Sequence, residues 1–220
     1  RTNDEGRRTN GGGWIVAASS DNLMAQIEAL RAALREREPR DVAFRSGVEF
    51  DAEGFRFKFY GEPYRITYPA LDVIVETSNK VCNPYYAAMF LYYLHTADGT
   101  PPSGKWIAFR DLPDGTFYHQ AYQGYSGDRL ARALGNQLEM FERAAQKLDG
   151  MKLTLGDAAY AFDALPRVRV AAVYYLGDED FPATANVLFD ESSSHYLPTD
   201  GLAGVGRALV DRLLRVASQK

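Results

Sequence analysis

From Val48 to Tyr68 apolar and polar residues alternate with a period of two. Val48 and Phe50 lead into a turn at Asp51-Ala52-Glu53-Gly54. Phe55, Phe57 and Phe59 then interleave with Arg56 and Lys58. After Gly61-Glu62-Pro63 the alternation returns as Tyr64, Ile66 and Tyr68 against Arg65 and Thr67. Successive side chains of a strand point to opposite faces, so this pattern predicts an antiparallel meander with one buried aromatic face. Leu71 to Val75 extends it by a further strand.

Elsewhere the period is helical. Asp21 is placed to cap a helix whose apolar positions are Leu23, Ile27, Leu30 and Leu34, running to Glu38-Pro39, with Glu28, Arg31, Arg35, Glu36 and Arg37 on the solvated side. Asn83-Pro84 reads as N-cap and first helical residue of a segment running to about Ala97. That segment is apolar on nearly every side, which predicts a central buried helix. Gly104 to Phe109 is strand-like, and Leu112-Pro113-Asp114-Gly115 is a turn. Helices are expected at about 128–134 and 137–148, and a short one at about 156–165 that stops at Pro166. Val168 to Leu176 reads as a buried strand, with Ala185 to Phe189 its antiparallel partner across the loop Gly177 to Thr184. Thr199 or Asp200 is expected to cap a last helix carrying Leu202, Val205, Leu209, Leu213 and Val216.

Strands come in runs and helices come in runs, which favours an α+β fold over a doubly wound parallel sheet. The expected architecture is a mostly antiparallel sheet, made of the N-terminal meander and the C-terminal hairpin, around the buried central helix and flanked by further helices. Residues 14–220 read as a single domain. Residues 1–13 contain no apolar residue and four glycines and read as a disordered leader. The apolar stretch Trp14 to Ala18 is too short for the core of a signal peptide. With a single cysteine among 220 residues, this makes a cytoplasmic location the expectation. Net charge is −4, so no global basic field draws the chain to nucleic acid. The longest apolar run, Tyr85 to Leu94, is about half of the roughly 20 residues a membrane span needs, so no membrane association is expected.

Three longer segments carry a family resemblance: Leu91 to Tyr118, Gly156 to Asp190 (GDAAYAFDALPRVRVAAVYYLGDEDFPATANVLFD) and Ser194 to Asp200 (SHYLPTD). Together they resemble the bacterial and archaeal family called domain of unknown function 3786, over about Leu23 to Leu214. Some relatives carry an added cysteine-rich iron–sulfur segment, so the resemblance implies a link to corrinoid or iron–sulfur one-carbon metabolism. The present chain has neither that segment nor its cysteines.

Chemistry-bearing residues are scattered. Between Leu176 and Asp200 stand Asp178, Glu179, Asp180, Asp190, Glu191 and Asp200, with no Lys or Arg. Asp178, Glu179 and Asp180 on one loop offer oxygen ligands to a hard divalent cation; a solvated turn is the plain alternative. Of three histidines, His119 and His195 suit acid–base or ligand roles if a carboxylate comes close. His95, late on the buried helix, reads as a core histidine or as a cap, where an imidazolium near the helix C-terminus would be favoured. Fourteen tyrosines, many in pairs, supply flat apolar bodies with polar tips, fit either for a packed core or for a cavity that holds a planar ligand. Tyr118, His119, Tyr122, His195, Tyr196, Lys105 and Arg110 form the candidate ligand-binding set. Gly99-Thr100-Pro101-Pro102-Ser103-Gly104-Lys105 has the look of a phosphate loop but lacks the following helix that such a loop needs. Cys82, just before a helix start, is either an activated thiol or an inert buried one.

Three functions remain open at this point. They are a ligand-binding or accessory module, a metal-assisted enzyme using the 178–180 loop with His195 or His119, and a protein–protein interaction scaffold. Cofactor identity, catalysis and oligomeric state stay open.

Overall fold

A computed structural model describes residues 20–219. The expected leader, and the apolar stretch Trp14 to Ala18, lie outside the described residues. The fold is α+β, as expected, with the meander and the hairpin in two separate five-stranded antiparallel sheets.

The first sheet runs in chain order: β1 (Glu49–Asp51), β2 (Gly54–Phe59), β3 (Glu62–Thr67), β4 (Val73–Val75) and β5 (Lys80–Val81). Phe57 pairs with Tyr64 and Phe55 with Ile66, so the alternating aromatics share one face. Gly54 is fixed by φ +132° and by the Ile66 carbonyl oxygen, 2.0 Å from where a Cβ would stand. The aromatic face packs on α3 (Pro84–Thr96), where Phe90 meets Tyr64, Phe57 and Phe59 at centroid distances of 4.8, 5.0 and 5.3 Å. Asn83 caps this helix by accepting the Tyr86 N–H at 3.0 Å, and seven of its residues are buried, as the unbroken apolar run implied.

Two helices precede the sheet. In α1 (Ser20–Arg35) Ile27, Leu30 and Leu34 are buried at the expected spacing. Its start at Ser20 puts Asp21 inside the first turn rather than at the cap. Unforeseen is α2 (Pro39–Ser46): Pro39, which ends the expected first helix, is also the first residue of a new one, capped by the Glu38 side chain accepting the Asp41 N–H at 2.7 Å.

The second sheet has the order β6-β10-β9-β8-β7, with β6 (Trp106–Ala108), β7 (Met151–Leu153), β8 (Ala158–Leu165), β9 (Val168–Tyr175) and β10 (Thr184–Asp190). The hairpin of β9 and β10 has the expected pairing, Ala185 against Tyr174 through Phe189 against Val170. Residues 156–165, expected as a short helix, are instead β8 and its approach, paired with β9 from Ala158/Tyr174 onwards. The strand is buried on both faces, so no polar alternation marks it. Its period of two is written as Tyr160 and Phe162 against Ala159 and Ala161, and alanine's local helix preference gives way to sheet pairing.

Around this sheet lie α4 (Gly115–Tyr125), α5 (Gly127–Leu134), α6 (Leu138–Lys147) and α7 (Thr199–Ala217). The unforeseen α4 begins on Gly115-Thr116 and exposes Phe117 and Tyr118, which hides its period. Neither Thr199 nor Asp200 caps α7. Pro198 occupies that position, Thr199 Oγ1 donates to the Pro113 carbonyl, and Asp200 accepts the adjacent Gly201 N–H at 2.9 Å. One buried core cluster spans both sheets. The Tyr60 N–H donates to the Ala164 carbonyl at 3.1 Å, and the Tyr60 hydroxyl to that of Val205 at 2.9 Å, joining the first sheet to β8 and α7. No helix of the described residues is long and apolar enough to cross a membrane.

Candidate functional site

The start of α3, the end of α4 and the middle of α7 enclose a hollow of about 450 Å³. Its walls are aromatic. The Asn83 cap sets Tyr85 and Tyr86 in the first turn of α3, and Tyr125 closes α4. Ala203 and Gly204 of α7 form the floor, and Arg207 and Asp211, one and two turns on, stand at the side. Gly204 makes the arrangement possible: a Cβ there would stand 2.0 Å from the Tyr85 hydroxyl. Two residues on, a Cβ at Gly206 would stand 2.1 Å from the hydroxyl of Tyr122. Glycine inside a helix costs about 1 kcal/mol against alanine, and here the cost lets two tyrosines reach the helix backbone.

The electrostatics of the hollow follow from burial. Burial first, and then the fields of Tyr86, Asp200 and Tyr125, push the Tyr85 phenol up to about 12. Burial likewise raises Tyr125. Both are therefore protonated donors at neutral pH. The Arg207 guanidinium lies 6.0 Å from the Tyr125 ring centre, and its Nε is 3.9 Å from Asp211 Oδ2. Arg129 donates to the other Asp211 oxygen at 2.5 Å. Stacking faces, hydroxyl donors and a cation thus line one space.

A larger cavity of about 660 Å³ lies between β2, β8 and the end of α6. Charges of both signs line it, and Arg56 is already engaged by Asp51, Glu53 and Glu76 (the last at 3.1 Å). Phe57, Tyr60 and Phe162 also border it, together with Lys58 and Lys147, so it mixes aromatic and charged walls.

The family model described as Domain of unknown function (DUF3786) matches residues 38–212. The chain belongs to that family. Every residue lining the tyrosine hollow falls within the matched segment. Comparison with curated proteins and with solved structures gives no match.

The sequence-predicted residues of this DUF3786 chain fall in three places. Lys105, His195 and Tyr196 come together around the loop that follows α3. His195 Nδ1 lies 2.7 Å from Asp98 Oδ2 and 3.3 Å from Thr100 Oγ1. The Tyr196 hydroxyl donates to the Thr100 carbonyl, and Lys105 pairs with Glu191 at 2.7 Å. Asp98 is held down to about 2, chiefly by the Thr100 N–H, which outweighs the opposing effect of burial, with His195 adding to the lowering. Arg110, Tyr118 and His119 belong to the α4 region. Arg110 is exposed, 3.8 Å from Asp111, and Tyr118 is 64% exposed. Tyr122 is in the core, stacked on Phe109 at 4.0 Å, its hydroxyl unpartnered.

Asp178, Glu179 and Asp180 occupy the exposed tip of the hairpin. Asp178 Oδ1 accepts the Asp180 and Phe181 N–H groups at 2.9 and 2.8 Å, and these bonds hold its carboxyl below the ordinary range. Asp190 ends β10 at its far end, and Glu191 follows it. Among the described residues no three His, Cys, Asp or Glu side chains gather as a metal-holding group.

The loop with the look of a phosphate loop does bind an anion, and the anion belongs to the chain itself. Asp190, fully buried, accepts the Ser103 and Gly104 N–H groups at 2.9 and 2.7 Å, the Ser103 hydroxyl at 3.0 Å, and the Ser192 N–H and hydroxyl at 3.0 and 2.7 Å. Burial alone would raise this carboxyl; the hydrogen bonds win and its pKa is lowered. For His95 the core reading fits better than the cap. Burial, and then nearby Arg37, lower its pKa, so the ring at this helix end is neutral and Nδ1 has no partner. Cys82 is buried, and burial pushes its thiol up to about 11: the inert alternative holds.

Asn83, Tyr85, Tyr86, Tyr125, Gly204 and Arg207 were not among the predicted site residues. The available signal was Gly204-Val205-Gly206 inside a strong helical period, which marks a close approach by something bulky. Asp98 as the partner of His195 left no sequence signal, since 97 positions separate them.

Proposed function

We propose that this protein binds a small planar ligand in the tyrosine hollow. What carries the reading is the meeting of Tyr85, Tyr86 and Tyr125 around an open space floored by Ala203 and Gly204. A packed aromatic core would fill that space with side chains; here three half-buried tyrosines border it. Its volume lies in the lower part of the roughly 300–1,000 Å³ usual for ligand pockets, which suits two or three fused rings. The corrinoid-linked role implied by the family resemblance draws no support from a site of this size. A metal-assisted reaction through the 178–180 loop is not proposed either, because Asp178 caps its own turn and His195 is paired with Asp98 instead.

Titration calorimetry with naphthol, a neutral two-ring probe, tests the reading. Saturable one-to-one binding is expected. Tyr125→Ala removes one stacking face and should weaken it about two- to tenfold, the equivalent of the 0.5–1.5 kcal/mol of an aromatic pair. Gly204→Val displaces Tyr85 into the hollow and should abolish binding. Absence of saturable binding by the parent protein, or undiminished binding by Gly204→Val, overturns the proposal.

A further inference from the structure

Arg207 has charge to spare above the hollow. Asp211, the acid lining the same space, is engaged by Arg129 at 2.5 Å, whereas Arg207 Nε stands 3.9 Å from the other oxygen, past hydrogen-bonding distance. The Arg207 side chain is 64% exposed and makes no hydrogen bond among the described residues. The N-terminus of α3 adds the same sign. Asn83, its cap, lines the hollow, and the first turn of this 13-residue helix contains no acid to neutralise the positive end. Tyr85, Tyr86 and Tyr125 bring hydroxyl donors to the walls. Asp200 acts on Tyr85 from outside the lining.

We infer that the hollow selects a planar aromatic ring bearing an anionic group, the ring against the tyrosines and the anionic group on the Arg207 guanidinium. This rests on the ligand-binding reading above and names its ligand class. A guanidinium presents a fork of N–H donors that matches a carboxylate or phosphate, and charge-assisted bonds of this kind are about twice as strong as neutral ones. The same stacking without the anionic group leaves Arg207 unused.

The test compares naphthoate with naphthol by titration calorimetry at neutral pH. Naphthoate is expected to bind about tenfold or more tightly than naphthol. Arg207→Met should remove that advantage, so that the variant binds naphthoate no more tightly than it binds naphthol, and Arg207→Lys should restore part of it. Melting temperatures of both variants, matched to the parent, show that the exposed substitution leaves the fold intact. Equal affinity for the two probes, or a naphthoate advantage that survives Arg207→Met, overturns the anion assignment and leaves the planar-ligand reading standing. Failure of both probes to bind overturns both.

Discussion

Gly104 donates its N–H to the carboxylate of Asp190 at 2.7 Å, across 86 positions of chain, and four more donors from Ser103 and Ser192 complete the cage. A buried carboxylate is costly unless its lone pairs are met, and removing it would strand the N–H groups that now face it. Asp190→Ala is therefore expected to lower stability by about 3 kcal/mol in urea unfolding. Since the folded-state pKa is lowered, this contribution is present above the ordinary carboxylate range near 4 and is lost as pH falls below it. A loss under about 1 kcal/mol at neutral pH would contradict the anchoring role.

The pair of Asp98 and His195 ties the same loop down from its other end. Asp98 titrates at about 2 when folded and near 4 when unfolded, so its stabilising effect is complete above the unfolded value and disappears as pH falls through about 2. Asp98→Asn should melt below the parent at pH 6, and the two melting curves should converge as pH approaches 2. A constant gap across that range would show that the carboxylate's charge is not what stabilises the loop.

Two neighbouring glycines should respond with opposite signs to the same substitution. A Cβ on Gly127 would stand 2.0 Å from the Ala185 carbonyl oxygen, where α5 crosses β10, whereas one on Gly124 meets nothing within 4 Å. Gly127→Ala should destabilise by about 2 kcal/mol or more, as overpacking against rigid backbone does. Gly124→Ala, inside α4, should stabilise by about 0.5–1 kcal/mol through helix propensity. Denaturant unfolding of both variants decides the matter, and equal effects would mean that α5 is misplaced.

Legibility in the sequence followed solvent contrast. β2 and β3 face water on one side, so Arg56, Lys58 and Arg65 mark every second position, and the meander is readable. The Asn83-Pro84 start of α3 is readable because capping is local chemistry. β8 looks helical in the sequence because burial on both faces erases the polar marker and leaves alanines. The hollow was illegible for another reason: its residues come from positions 83–86, 125 and 203–211, and only packing brings them together. The same holds for Asp98 and His195.

Cys82 supplies a prediction of a different kind. With its thiol pushed up to about 11 by burial, roughly one molecule in a thousand carries a thiolate at pH 8. A disulfide reagent should label the native protein slowly and the denatured protein at once. Rapid native labelling would mean that the β5–α3 connection is open to solvent.

The central claim is that the tyrosine hollow receives a planar ligand, and tyrosine-selective NMR addresses it most directly. On addition of naphthoate, the ring signals of Tyr85, Tyr86 and Tyr125 should shift together and saturate at one equivalent, while those of exposed Tyr118 and core Tyr174 stay in place. Shifts spread evenly over exposed tyrosines, or none at Tyr85, Tyr86 and Tyr125, would contradict the account.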